Sequence, residues 1–200
     1  MSDIISTQRA QRPQSTQRWA VLVGASATRR GVAVVAGALL VALAAQVALP
    51  LPGTPVPFTL QVPAVLLVGG LLGAPLGAAS MALYLGLGIA GLPVFAALGP
   101  LGPARLLGPT GGYLLAYPVA AALTGRLLAS GRSWLTLGGA LLAGLAVIYL
   151  GGVAQLAVLS GDPGRAVRLG SLPFLPFDVV KLLLVGLVLR RVTPTFRARL

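Results

Sequence analysis

The sequence predicts an all-α integral membrane protein of six transmembrane helices with both termini cytoplasmic, and three observations carry that reading. Mean hydropathy is +0.93. Of the 200 residues, 56% are hydrophobic and only 9% are charged, against about 25% charged in a soluble domain. The apolar residues gather into six runs, while arginine is confined to the ends and a few connections. A net charge of +12 would suit nucleic acid, but that partner requires a basic stripe along a folded face. Arginines placed as they are here act as a topology signal instead, and no nucleic acid is expected to bind.

Residues 1–30 are polar, with Arg9, Arg12, Arg18, Arg29 and Arg30 and no long apolar core. They read as a basic cytoplasmic leader, disordered at its start. The apolar run after Arg30 continues too far for a signal peptide and fits a spanning helix. The membrane domain is therefore expected over 31–192, with helices at 31–49, 60–73, 75–90, 111–128, 134–159 and 173–189 and a basic cytoplasmic tail at 193–200. Pro75 cannot continue a helix through Ala74, so 60–90 divides into two short helices joined by a tight turn. Trp134 stands at the start of a span, where an interfacial ring belongs.

An N-terminus inside assigns Arg9, Arg12, Arg18, Arg29, Arg30, Arg126, Arg132, Arg190, Arg191, Arg197 and Arg199 to the cytoplasm. Only Arg105, Arg165 and Arg168 fall outside. The positive-inside rule favours this arrangement.

Cysteine and histidine are absent, which removes disulfides, thiol nucleophiles, the usual zinc ligands and histidine acid-base chemistry. No metal and no cofactor is expected. The chemistry left inside the apolar runs is concentrated in the sixth, PFLPFDVVKLLLVGLVLRR. Lys181 is the only lysine, and Asp178 is the only acidic residue within an apolar run. A spacing of three puts them on one helix face. A charge near the bilayer centre costs about 2.5–3.5 kcal/mol on insertion scales, so an intramembrane ionisable pair marks a site unless it is a self-neutralising structural bridge. The topology sets the pair in the outer part of its helix. There Pro176 suits the first turn, and the positive end of the helix dipole favours the Asp178 carboxylate.

Two external connections join this picture. Residues 50–59 hold four prolines and no charge, and residues 92–109 hold Arg105 and run into Thr110, Gly111, Gly112 and Tyr113. Short loops rich in proline and glycine make a lid or pocket wall. Thr110 is a candidate cap for the fourth helix, whose free N–H groups would then favour an anionic or carbonyl oxygen. The glycines fit equally well as small residues for close helix packing. Ala38 and Ala42 on the first helix show the same small-residue spacing.

These segments, in this order, resemble the BioY family of bacterial biotin transporters. PLPGTPVPFTLQVPAVLLVGGLLGAPLGAASMALYLGLGIAGLPVF is similar to the family's first external loop and next two helices. GPARLLGPTGGYLLAYP is similar to its glycine-rich entry to the fourth helix, and LPFLPFDVVK to its sixth-helix motif. The resemblance runs from Ala38 to Leu189. It implies a six-helix substrate-binding component of an energy-coupling factor (ECF) transporter in the bacterial plasma membrane. Such a component works with a transmembrane coupling subunit and two ATPase subunits, or alone. The chain shows no P-loop pattern of its own.

The resemblance further implies that Asp178 accepts from a ureido N–H of biotin while Lys181 donates to the ureido carbonyl. It implies Arg105 for the carboxylate, with Lys181 as the alternative, and Thr110, Gly111, Gly112 and Tyr113 as pocket lining. Tyr113 would pack on the ring and offer its hydroxyl. Ala38 and Ala42 match the family's contact with the coupling subunit. Phe177 stands where glycine is expected and should narrow the pocket. A transporter for a different small vitamin keeps the same fold. An intramembrane enzyme using Asp178 as base lacks a second carboxylate at depth.

Overall fold

The computed structural model describes residues 14–131 and 133–197, with side chains over 26–131 and 133–192. The first half of the expected leader, with Arg9 and Arg12, lies outside the described residues, as do Arg132 and Arg199. The chain is mostly helical: α1 Gln14–Gln46, α2 Gln61–Leu72, α3 Ala74–Ile89, α4 Ala104–Leu107, α5 Gly111–Leu127, α6 Trp134–Ser160, α7 Pro163–Gly170 and α8 Leu175–Arg197. Two two-residue strands, β1 Ala48–Leu49 and β2 Phe58–Thr59, pair antiparallel with Ala48 opposite Thr59 and Leu49 opposite Phe58.

The second half of the expected leader is the start of α1, because no proline stands between Pro13 and Pro50 to stop the helix. At its other end α1 stops at Gln46, three residues short of the expected boundary, and hands over to β1. The short hairpin closes the proline-rich loop on itself.

Ser26–Gln46 within α1 and Trp134–Ser160 are each long and apolar enough to cross a membrane. The pair α7 and α8, bent by 51°, meets the same criterion when taken together. The remaining apolar helices α2 and α3 are shorter and must lean on neighbours.

The break between α2 and α3 falls at Gly73, whose φ of 80° is open to glycine at little cost. Pro75 then occupies the first turn of α3, where its missing N–H costs nothing. Helix α5 lies across this turn. A Cβ on Gly125 would stand 2.5 Å from both the Ala74 nitrogen and the Gly73 carbonyl carbon, and one on Gly69 would run into the Ala121 backbone. Small residues let these three backbones touch, as membrane helices require when no hydrophobic effect drives them together. Gly125→Val is therefore expected to lower stability by about 1–3 kcal/mol through overpacking, read as earlier thermal unfolding in detergent.

Side-chain caps open α6 and α7. Ser133 Oγ accepts from the Thr136 N–H at 3.1 Å at the start of α6. Asp162 Oδ1 accepts from the Arg165 N–H at 2.9 Å at the start of α7. Helix α7 falls in the 160–172 connection between two expected helices, since its eight residues, PGRAVRLG, are too few and too polar to announce a span. Its inner residues Ala166 and Gly170 are buried against the bundle.

Candidate ligand-binding site

One end of the bundle encloses a cavity of about 560 Å³, counting the space at its open mouth. Its polar lining comes from Thr59, Gln61, Arg105, Tyr149, Asp178 and Lys181. Val56, Phe95, Tyr113, Leu114, Tyr117 and Phe174 supply apolar and aromatic surface.

Asp178 lies in the first turn of α8 and is 2% exposed. Lys181 Nζ meets its Oδ1 at 2.9 Å. The other oxygen, Oδ2, accepts from the Tyr149 hydroxyl at 2.5 Å. Each carboxylate oxygen therefore holds one donor and keeps acceptor capacity for another. Lys181 Nζ also donates to the Thr59 carbonyl at 3.0 Å and sits 3.7 Å from the centre of the Phe58 ring. The ammonium thus ties α8 to the end of the 50–59 loop, through a hydrogen bond and a cation–π contact.

Phe177 is not part of the lining. It is more than half exposed and stands edge-on to Phe58, ring centres 5.4 Å apart. It braces Phe58 from outside and does not narrow the cavity, because the position before Asp178 points away from the face that carries the pair.

Arg105 is carried by the short helix α4 and is 4% exposed. Its Nη1 donates to the Leu98 carbonyl, while its buried Nε has no hydrogen-bond partner. Burial lowers this guanidinium from its ordinary value, with Tyr84 and Tyr117 opposing the shift, yet arginine stays charged in proteins. A buried charged donor left unpaired is costly, so Arg105 lacks an acceptor that would offset the burial of its Nε–H. Gln155 of α6 fixes the platform beneath it: its Nε2 donates to the carbonyls of Leu106 and Gly108 at 2.8 and 2.7 Å.

The sequence-based assignments meet mixed fates. Asp178, Lys181, Arg105, Thr110 and Tyr113 line one cavity. Thr110 makes no capping hydrogen bond at the head of α5, since its φ and ψ of −100° and −5° are those of a helical residue and not of the extended conformation a cap adopts. The Gly111 N–H is not free either, donating to the Gly108 carbonyl at 3.1 Å.

Gly111 and Gly112 are buried but are not among the lining residues. A Cβ on Gly112 would collide with the Gly151 carbonyl of α6, and one on Gly111 with the Leu106 carbonyl. Close packing is what these glycines serve. Tyr113 does wall the cavity, but its hydroxyl donates to the Gly170 carbonyl at 2.7 Å. It ties α5 to α7 and leaves the ring face, not the hydroxyl, for a ligand.

Ala38 and Ala42 face inward within this chain. They are 1% and 9% exposed and belong to the core, because the neighbouring Gly37 presses against Val68 and Ser80 of α2 and α3. The side of α1 that remains open carries Val32, Val35, Leu39 and Leu43.

Tyr149, Gln61 and Gln155 were missed. Tyr149 and Gln155 are the only hydrogen-bonding side chains between Thr136 and Ser160 of an otherwise apolar α6, a signal of the same kind that identified Asp178. Gln61 lines the cavity and donates to the Tyr84 hydroxyl at 2.7 Å.

A family model, the BioY family, matches residues 13–198. The biotin transporter BioY of Thermotoga maritima is 40% identical over 154 residues, covering 76% of this chain and 88% of that protein. The probable biotin transporter BioY of Pyrococcus horikoshii is 47% identical over 128 residues, covering 64% of this chain and 74% of that protein. Among solved structures, the S-component for biotin from an ECF-type ABC transporter is similar with a TM-score of 0.78 and 27% sequence identity, covering 86% of this chain and 96% of that one. An apolar helical bundle, a buried charged pair at one end and a match across nearly the whole length lead to one conclusion: this chain is a member of the BioY family.

Proposed function

We propose that the chain is the biotin-binding membrane subunit of an ECF transporter, taking biotin from the outer face and delivering it inward. A transmembrane coupling subunit and two ATPase subunits supply the energy. The chain crosses the bacterial plasma membrane six times, through α1, α2, α3, α5, α6 and α8, with both termini in the cytoplasm. The arginine distribution supports this orientation, and it puts the polar cavity on the outer side.

The charge balance of the cavity carries the reading. Asp178 and Lys181 cancel, and Arg105 leaves one positive charge over. A ligand with a single carboxylate restores neutrality, and the unpaired Arg105 Nε supplies a donor for it. At the other pole a ureido group needs one acceptor for its N–H groups and one donor for its carbonyl. The free acceptor capacity of Asp178 and the third proton of Lys181 meet those needs. The rings of Phe95, Tyr117 and Phe174 suit the apolar bicycle and chain between the two poles.

Purified protein titrated with biotin in detergent is expected to bind one equivalent, measured by calorimetry, and to show no comparable heat with other small vitamins. Absence of biotin binding, or a preference for another vitamin, overturns the assignment.

A further inference from the structure

Apart from the polar cavity, the described residues line a second concavity, an open groove between α6 and α8 of about 760 Å³ with the solvent at its mouth counted. Leu137, Leu141 and Leu182 form its buried floor. Leu142, Val179 and Leu183 form half-open walls. Two glycines keep it open. A Cβ on Gly138 would meet nothing within 4 Å, and one on Gly186 would only touch Leu141 and Trp134.

One end of the groove is charged. Arg190, one turn beyond Gly186, lies with its guanidinium carbon 4.7 Å from the centre of the Trp134 ring. It is exposed and has no carboxylate to pair with among the described residues. Asp178 is held by Lys181 and Tyr149, and Asp162 caps α7. From Val179 to Arg190 the helix rises about 16 Å, close to the thickness of one leaflet of a hydrocarbon core about 30 Å across. The groove thus runs along a single leaflet, with a cation and an interfacial ring at its water-facing end.

We propose that this groove holds an acyl chain of an anionic phospholipid whose phosphate rests on Arg190. Charge complementarity selects the headgroup, and leaflet-length apolar walls select the chain. Trp134 holds the guanidinium at the groove end, where a phosphodiester oxygen accepts from its N–H groups. The site is separate from the polar cavity and does not depend on what that cavity binds.

The test uses full-length protein in nanodiscs of phosphatidylcholine mixed with phosphatidylglycerol, with bound lipid counted by native mass spectrometry after mild detergent release. Phosphatidylglycerol is expected to be retained about fivefold over its bilayer share, the effect of one basic residue near an anionic surface. Arg190→Ala is expected to return the ratio to the bilayer share, and Arg190→Lys to keep most of the preference. Gly138→Leu fills open space and should reduce retention of both lipids while the protein still binds biotin. Equal retention in the wild type, an Arg190→Ala ratio like the wild type's, or unchanged lipid counts in Gly138→Leu overturns the proposal. So does a protein helix, from a second copy or another subunit, cross-linking into the groove in place of lipid.

Discussion

Asp178→Ala is expected to weaken biotin binding by at least about 2 kcal/mol, or roughly thirtyfold, the scale of one buried charged hydrogen bond. The effect exceeds a single lost contact. Asp178 is the hub at which Lys181 and Tyr149 meet, and its removal leaves a buried ammonium with only the Thr59 carbonyl and the Phe58 ring. Breaking a buried pair by deleting one partner costs about 3–5 kcal/mol where the other stays charged, so the variant should also unfold earlier on heating. A double variant, Asp178→Ala with Lys181→Met, removes both charges and is expected to regain thermal stability without regaining biotin binding. Calorimetric titration and thermal unfolding of the two variants separate the ligand role from the structural one. Wild-type affinity in Asp178→Ala would take the pair out of the site. Recovery of binding in the double variant would reduce the pair to a structural bridge.

Arg105→Ala should act at the opposite pole and with a different signature. A charged hydrogen bond contributes about 1.5–3 kcal/mol, so biotin affinity is expected to fall by about tenfold to a hundredfold. Biotin methyl ester, which carries no charge to neutralise, should bind wild type and Arg105→Ala with nearly equal affinity. Lys181→Ala should impair acid and ester alike, because the proposed binding mode sets its ammonium at the ureido end. If Lys181→Ala spares the ester and Arg105→Ala does not discriminate, the two roles are exchanged. Gln155→Ala need not be made to interpret this, since the Arg105 variant leaves the clasp of Gln155 on α4 in place.

Much of the architecture follows from local features of the chain. Pro75 and Gly73 impose the break between α2 and α3, and the run from Trp134 to Ser160 is apolar enough to stand as one long helix. Asp178 and Lys181 are three apart on a single helix, so their pairing is a consequence of helical geometry and was legible before any packing was known. Boundaries were less legible. The start of α1 lay hidden in a polar segment because polar residues without proline are still helix formers, and α7 was hidden because eight residues give too short a periodic pattern.

The other half of the site comes from distant segments, and there the sequence offered residue types without partners. Tyr149 stands 29 residues from Asp178, and Thr59 stands 122 residues from Lys181. Nothing in either local pattern announces those bonds. Gly111 and Gly112 were compatible with both a ligand wall and a helix contact, and only the position of the Gly151 backbone decides for the contact. Ala38 and Ala42 had the spacing for a close helix approach, and which helix approaches depends on the rotation of α1 about its axis. That rotation turns them inward to the core.

Local patterns in the chain suffice to call for a lipid solvent, most of the helices that solvent permits and the Asp178–Lys181 pair they carry. These follow from hydropathy, proline placement and a spacing of three, all of which act within a few residues. Tertiary structure alone decided which acceptors and donors complete the pair, which glycines touch a backbone and where Arg105 points. Those outcomes depend on how helices far apart in sequence rotate and approach, and small residues permit many such approaches until the whole bundle packs at once.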